Sequence, residues 1–153
     1  MECEFPTVNS NKDEIKEIFE DMKETKTIAI IGLSPNKEKA SNLVARYFLD
    51  QGFNVIPVYP KEDEILGQKV YRSLKEIPND IQIDIVDIFR KPKVISLIVD
   101  AAIERGNIKC IWSQLGLVNN KAMQKAKDHG FKTVQNHCTK IAHKEIYNIE
   151  WDG

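Results

Sequence analysis

The stretch Thr27-Ile28-Ala29-Ile30-Ile31-Gly32-Leu33-Ser34-Pro35-Asn36-Lys37-Glu38-Lys39-Ala40-Ser41-Asn42-Leu43-Val44-Ala45-Arg46-Tyr47-Phe48 decides the fold of this chain. An unbroken apolar run leads through one glycine into a polar turn, and then Leu43, Val44, Tyr47 and Phe48 recur at helical spacing until Gly52. The run reads as a strand buried on both faces. Strand, glycine turn and helix in that order form the phosphate-binding first turn of an α/β sheet. The dinucleotide fingerprint wants glycines at its second and third positions, where this chain has Ser34 and Lys37. The turn suits a phosphate, but not an ordinary NAD.

Working outward, further short apolar runs at 54–59, 83–89, 108–112 and 132–135 complete a set of strands. Pro92 opens a helix through Val94, Ile95, Ile98 and Ala102 to Gly106, and Asn119 caps another through Ala122, Met123 and Ala126 to Gly130. The longer charged stretch 61–78 holds a weak helical piece at 73–77. Before the first strand, Ser10 and Asp13 precede Ile15, Ile18, Phe19 and Met22, the pattern of a capped amphipathic helix. The alternation predicts an α/β, Rossmann-like three-layer sandwich with a five-stranded parallel sheet in the order 3-2-1-4-5 and an extra N-terminal helix. Residues 1–25 form the helical extension and 26–150 the domain proper.

With 153 residues, 42% hydrophobic and 29% charged, the chain has material for one well-buried core and no second substantial domain. Most dehydrogenases and ligases set a catalytic or substrate lobe opposite their nucleotide half, so such chemistry would need a partner chain. A formal net charge of -1 gives no global attraction to nucleic acid or an acidic membrane. The start Met1-Glu2-Cys3-Glu4-Phe5-Pro6 lacks a signal pattern, no run approaches the ~18 apolar residues of a membrane span, and a cytoplasmic location is expected. Cys3, Cys110 and Cys138 are widely spaced and make no disulfide framework.

In such sheets ligands collect at the carboxyl ends of the strands. Gly32 either makes a tight turn or permits a close backbone approach that frees the following amides for a phosphate. Ser34, Lys37, Lys39 and Ser41 beside a helix start favour the phosphate. After the second strand, where an NAD site carries an acidic residue, stand Tyr59-Pro60-Lys61. Lys61 would pair with a phosphate on the ribose, as in NADP or coenzyme A, or is a solvated loop lysine beside Glu62, Asp63 and Glu64. Phe89 and Arg90 end the third strand, with a flat apolar face and a further cation. Gln114, in Trp112-Ser113-Gln114-Leu115-Gly116, suits an amide ligand, and Trp112 reads as core. Cys138 with His137 and His143 invites a catalytic or metal reading, but no ligand set or oxyanion motif accompanies them.

From residue 27 to 146 the sequence resembles the small single-domain coenzyme A-binding proteins, related to the coenzyme A-binding domain of the succinyl-CoA synthetase α-subunit. The matching pieces are Ile31-Gly32-Leu33-Ser34, Ser41, Val55-Ile56-Pro57-Val58-Tyr59-Pro60, Gly67, Val70-Tyr71, Ser73-Leu74, Ile85-Val86-Asp87-Ile88-Phe89-Arg90, Trp112-Ser113-Gln114-Leu115-Gly116 and Cys138. The resemblance implies coenzyme A as the ligand. The resemblance places it along Gly32, Leu33, Ser34, Lys61, Phe89, Arg90 and Gln114, with Cys138 near its thiol end, and the residues of the first turn and second strand end add Pro35, Lys39, Ser41, Tyr59 and Pro60 as expected contacts. It implies no catalytic residue and no metal, so the chain reads as a binding protein with a carrier, sensor or thiol-redox role. The alternative is an NADP-binding reductase or a subunit of one. A small-molecule partner and a homodimer are the associations in view. The chain departs from the family in Lys39-Ala40-Ser41, where arginine-proline-serine is usual, in His137 for arginine, and in Ala142-His143 for glutamate-histidine. Lysine keeps the charge and loses the planar fork.

Overall fold

The computed structural model describes residues 12–152. Helix α1 spans Lys12–Glu20 and buries Ile15, Ile18 and Phe19. Its expected cap at Ser10, like Cys3, lies outside the described residues. Strand β1 is Thr27–Ile31, α2 Ala40–Asp50 and β2 Asn54–Val58. A small antiparallel pair follows, β3 Glu64–Ile65 with β4 Gln68–Lys69, and then a 3-10 turn, Leu74–Glu76, where the sequence suggested a weak helix. The chain continues through β5 Ile83–Ile88, α3 Pro92–Arg105, β6 Ile108–Ser113, α4 Asn120–Asp128, β7 Lys132–Val134 and α5 Thr139–Tyr147. As expected, Pro92 opens α3 and the Asn119 side chain caps α4 by accepting from the Ala122 amide. Helix α5, after the last strand, has no counterpart among the helices expected from the sequence.

The sheet is five-stranded and parallel, as predicted, but its order is β2-β1-β5-β6-β7. Counting only the expected strands, that is 2-1-3-4-5, which corrects the expected 3-2-1-4-5. The reason lies in the connection between the second and third strands. In the expected order it would be a helical crossover on the α2 face, carrying the third strand outside the second. Instead the connection starts on the α2 side, where Ile65 and Val70 pack, and then crosses to the opposite face, where Leu74 and Ile77 join the core with α3. The buried Arg105 at the end of α3 pins them, donating to the carbonyls of Ile77, Pro78 and Ile81 at 2.6–3.1 Å. A right-handed crossover on that face carries the chain back over β1, so β5 pairs with β1.

Two apolar layers result. Ile28 and Ile30 of β1 face α1, α2 and α5 with Phe19, Tyr47, Phe48 and Trp112. Ala29 and Ile31 face α3 and α4 with Ile95, Val99 and Met123. Both central strands are buried along their whole length, which accounts for the unbroken apolar spelling of β1, while β5 carries two buried acids, Asp84, which accepts from the Thr25 hydroxyl and the Thr27 amide at 2.8 Å each, and Asp87. The reversal of order falls between β1 and β5, which places the crevice of the sheet there. No helix among the described residues is long and apolar enough to cross a membrane.

Candidate functional site

Three loops meet at that crevice. Gly32 has φ +90°, and a side chain there would bring its Cβ within 3.0 Å of both the Phe89 carbonyl oxygen and Arg90 Cδ. Its amide donates to the Val58 carbonyl at 2.8 Å, and the Phe89 amide donates to Ile31 at 2.9 Å. The turn after β1 therefore runs against the turn after β5, and glycine is required by both conformation and space.

Beyond Gly32, Leu33 is fully buried in the core and anchors the turn there. The loop is fastened to the first turn of α2: the Ser34 amide donates to Ser41 Oγ at 3.0 Å, and Asn42 Nδ2 donates to the Ser34 carbonyl at 2.9 Å. Ser34 Oγ in turn accepts from the Asn36 amide at 3.1 Å. Lys39 occupies the N-cap without a side-chain cap, and Pro35, Lys37 and Lys39 are exposed. The Ala40 and Ser41 amides have no acceptor among the described residues. Such first-turn amides and the positive end of the helix dipole suit an anion.

The loop after β2 is held by Arg72, a residue not among those expected at the site. Arg72 Nη1 donates to the carbonyls of Tyr59, Lys61 and Glu62 at 2.8–3.0 Å, gathering the turn around one guanidinium. The only hint in the sequence was its place after Val70-Tyr71. Tyr71 pairs with Val58 beside the sheet and brings Arg72 to the loop. The Lys61 side chain is exposed. Tyr59, Pro60, Arg72 and Arg90 line a cavity of about 220 Å³ whose floor is Ile31, Val58 and Val94.

At the other end of the edge, Cys138 and His137 line a second cavity, of about 260 Å³, with Leu115, Ile141 and Glu145. The predicted residues thus divide. Tyr59, Pro60 and Arg90 share one cavity, Cys138 lines another, and Gly32, Ser34, Lys39 and Ser41 form the turn and helix start. Phe89 is half-buried against the core. Gln114 is buried and engaged: its Nε2 donates to Asp87 and, at 2.9 Å, to Thr139 Oγ1, which itself donates to Asp87 at 2.7 Å. This triad joins β5, the end of β6 and the start of α5. Burial pushes the Asp87 carboxyl up to about 7 against the pull of the Thr139 and Gln114 hydrogen bonds. Burial, with Asp87 nearby, also raises the Cys110 thiol far above its ordinary value.

His143 does not join Cys138 and His137. It lies in the aromatic core, with Nδ1 2.5 Å from the Tyr47 hydroxyl. Trp112 is core, as expected, its indole N–H donating to the His137 carbonyl at 2.9 Å. Among the described residues no group of three or more His, Cys, Asp or Glu side chains could hold a metal ion.

Sheet, crossovers and loop-lined crevice together define a Rossmann-like α/β protein. Residues 26–144 match the CoA binding domain family, and the chain belongs to it. It is 39% identical over 135 residues to the uncharacterized protein YneT of Bacillus subtilis, covering 88% of this chain and 96% of YneT. A hypothetical protein from Pyrococcus horikoshii OT3 has the same fold, with TM-score 0.81 and 37% identity over 96% of this chain and 99% of its own. An ADP-forming acetate–CoA ligase of Methanocaldococcus jannaschii is 26% identical over 126 residues, 79% of this chain but 18% of the ligase.

Proposed function

We propose that this protein binds coenzyme A along the carboxyl edge of its sheet, in the cytoplasm, and carries out no chemistry alone. The diphosphate lies over the turn from Gly32 to Pro35 and the open amides of α2, with Lys39 and the Ser41 hydroxyl beside it. Lys61 meets the phosphate on the ribose. The adenine enters the cavity between Tyr59, Pro60 and Arg90, with Phe89 at its inner side. The pantetheine arm runs past the Gln114 corner toward Cys138. The observation that carries this reading is the bare Gly32 turn pressed on Phe89 and Arg90 next to an uncapped helix start, in a chain of the CoA binding domain family. Binding at such a turn uses fixed backbone donors, which lose little freedom on meeting an anion.

Titration calorimetry with coenzyme A, dephospho-coenzyme A and NADP tests it. Coenzyme A is expected to bind tightest, and indifference to all three would sink the proposal. Preference for NADP would instead support a reductase or a reductase subunit.

A further inference from the structure

At the amino edge of the sheet, opposite the proposed coenzyme A site, lies a cavity of about 540 Å³ walled by Phe19, Lys23, Lys26, Phe53, His143 and Tyr147. Lys26 immediately precedes β1 and Phe53 immediately precedes β2. His143 is 7% exposed. Its Nδ1 is taken by the Tyr47 hydroxyl, and Tyr47 is not part of the cavity wall. His143 itself lines the cavity, and Nε2 is the ring nitrogen that Tyr47 leaves free.

The tautomer follows from the partners. Among the described residues the Tyr47 hydroxyl has no acceptor other than His143 Nδ1, so Tyr47 donates there and the ring proton sits on Nε2. Burial and the Lys26 charge lower the His143 pKa to about 4, which keeps the ring neutral. No acceptor for Nε2 exists among the described residues, an exception to the pairing of buried polar groups.

The surroundings specify what acceptor would fit. Lys23 and Lys26 form no ion pair among the described residues, and Lys26 Nζ stands 5.4 Å from the centre of the Phe53 ring. Phe19 and Tyr147 meet the His143 ring at centroid distances of 4.9 Å. Glu20 is also at the wall, accepting from the Tyr147 hydroxyl at 2.6 Å. A phosphate dianion would crowd that carboxylate, whereas one negative charge on a flat apolar body matches two ammonium groups, one N–H donor and aromatic walls.

We propose that this cavity is a second binding site, for a small aromatic carboxylate whose oxygen accepts from His143 Nε2 and whose ring lies among Phe19, Phe53 and Tyr147. Nitrogen-15 NMR of the histidine side chains of the full chain, titrated with phenylacetate, tests it. Phenylacetate is expected to move the His143 Nε2 resonance saturably. Neutral phenylacetamide and ring-less acetate should each bind at least ~tenfold more weakly. In a Lys23→Met, Lys26→Met double variant, both changes being at exposed positions, phenylacetate should weaken by ~tenfold or more. An unmoved His143 resonance, equal binding of phenylacetamide or acetate, or unchanged affinity in the double variant would each overturn the proposal.

Discussion

Gly32 and Lys61 bracket the range of what a single residue can show in this fold. Gly32 is constrained twice: φ +90° disfavours any side chain, and a Cβ would press on the Phe89 backbone oxygen at 3.0 Å, which has no flexible end to move away. Gly32→Ala should cost about 1–3 kcal/mol of stability, read from urea unfolding. It should also weaken coenzyme A by ~tenfold or more, because the turn must shift to make room. A variant of unchanged stability and affinity would remove Gly32 from the argument. Lys61 is the reverse case, exposed and fixed only through its backbone by Arg72. Lys61→Met should leave folding unchanged and weaken coenzyme A several-fold, while dephospho-coenzyme A, lacking the ribose phosphate, should bind it and the parent alike. Equal losses for both ligands would mean that Lys61 acts on the diphosphate.

Helix α5 is the element on which the site's far end rests, and polar groups hold it. Thr139 at its start joins Asp87 and Gln114, and His143, one turn on, meets Tyr47. Thr139→Val keeps the shape and removes both hydrogen bonds, leaving Asp87 and Gln114 short of a buried partner. The expected cost is about 2–3 kcal/mol, with amide exchange accelerated in α5 before β1. Uniform exchange at unchanged stability would refute the polar anchoring. That anchoring also explains why α5 was not legible in the sequence. Its buried positions are the polar Thr139 and His143, and the apolar Ala142, Ile146 and Tyr147 beside them are only half-buried, whereas a search for helices follows a strong stripe of apolar residues at helical spacing. The same search found α2, α3 and α4, whose inward faces are apolar. The strands were legible for that reason too, and the Gly32 turn because a strand and a helix frame it. Strand order was not, because it depends on which face residues 59–82 cross, and Arg105 settles that by bonds to carbonyls that no sequence pattern displays.

For the whole molecule, two buried titrating groups pull stability in opposite directions with pH. Asp87 is held at about 7 by burial, against an ordinary value of 3.8, so between those limits the folded chain keeps a proton that the unfolded chain has lost. Its contribution is complete below about pH 4 and disappears as pH rises through 7. His143 is held at about 4 by burial and then by Lys26, against 6.5, so in that window the unfolded chain binds the extra proton. Its contribution is complete above 6.5 and disappears as pH falls through 4. Between pH 4 and 6.5 the two slopes oppose, and urea midpoints of the parent should change little from these groups. Asp87→Asn mimics the protonated acid, since the Thr139 hydroxyl can turn to accept from the new amide, and it removes the falling limb. Stability of that variant should climb from pH 4 to 6.5. His143→Gln should do the opposite, declining steadily from pH 4 to 7. Parallel pH curves for the parent and both variants would show that neither group's ionisation is coupled to folding, and that the aromatic layer and the Asp87 triad are open to water.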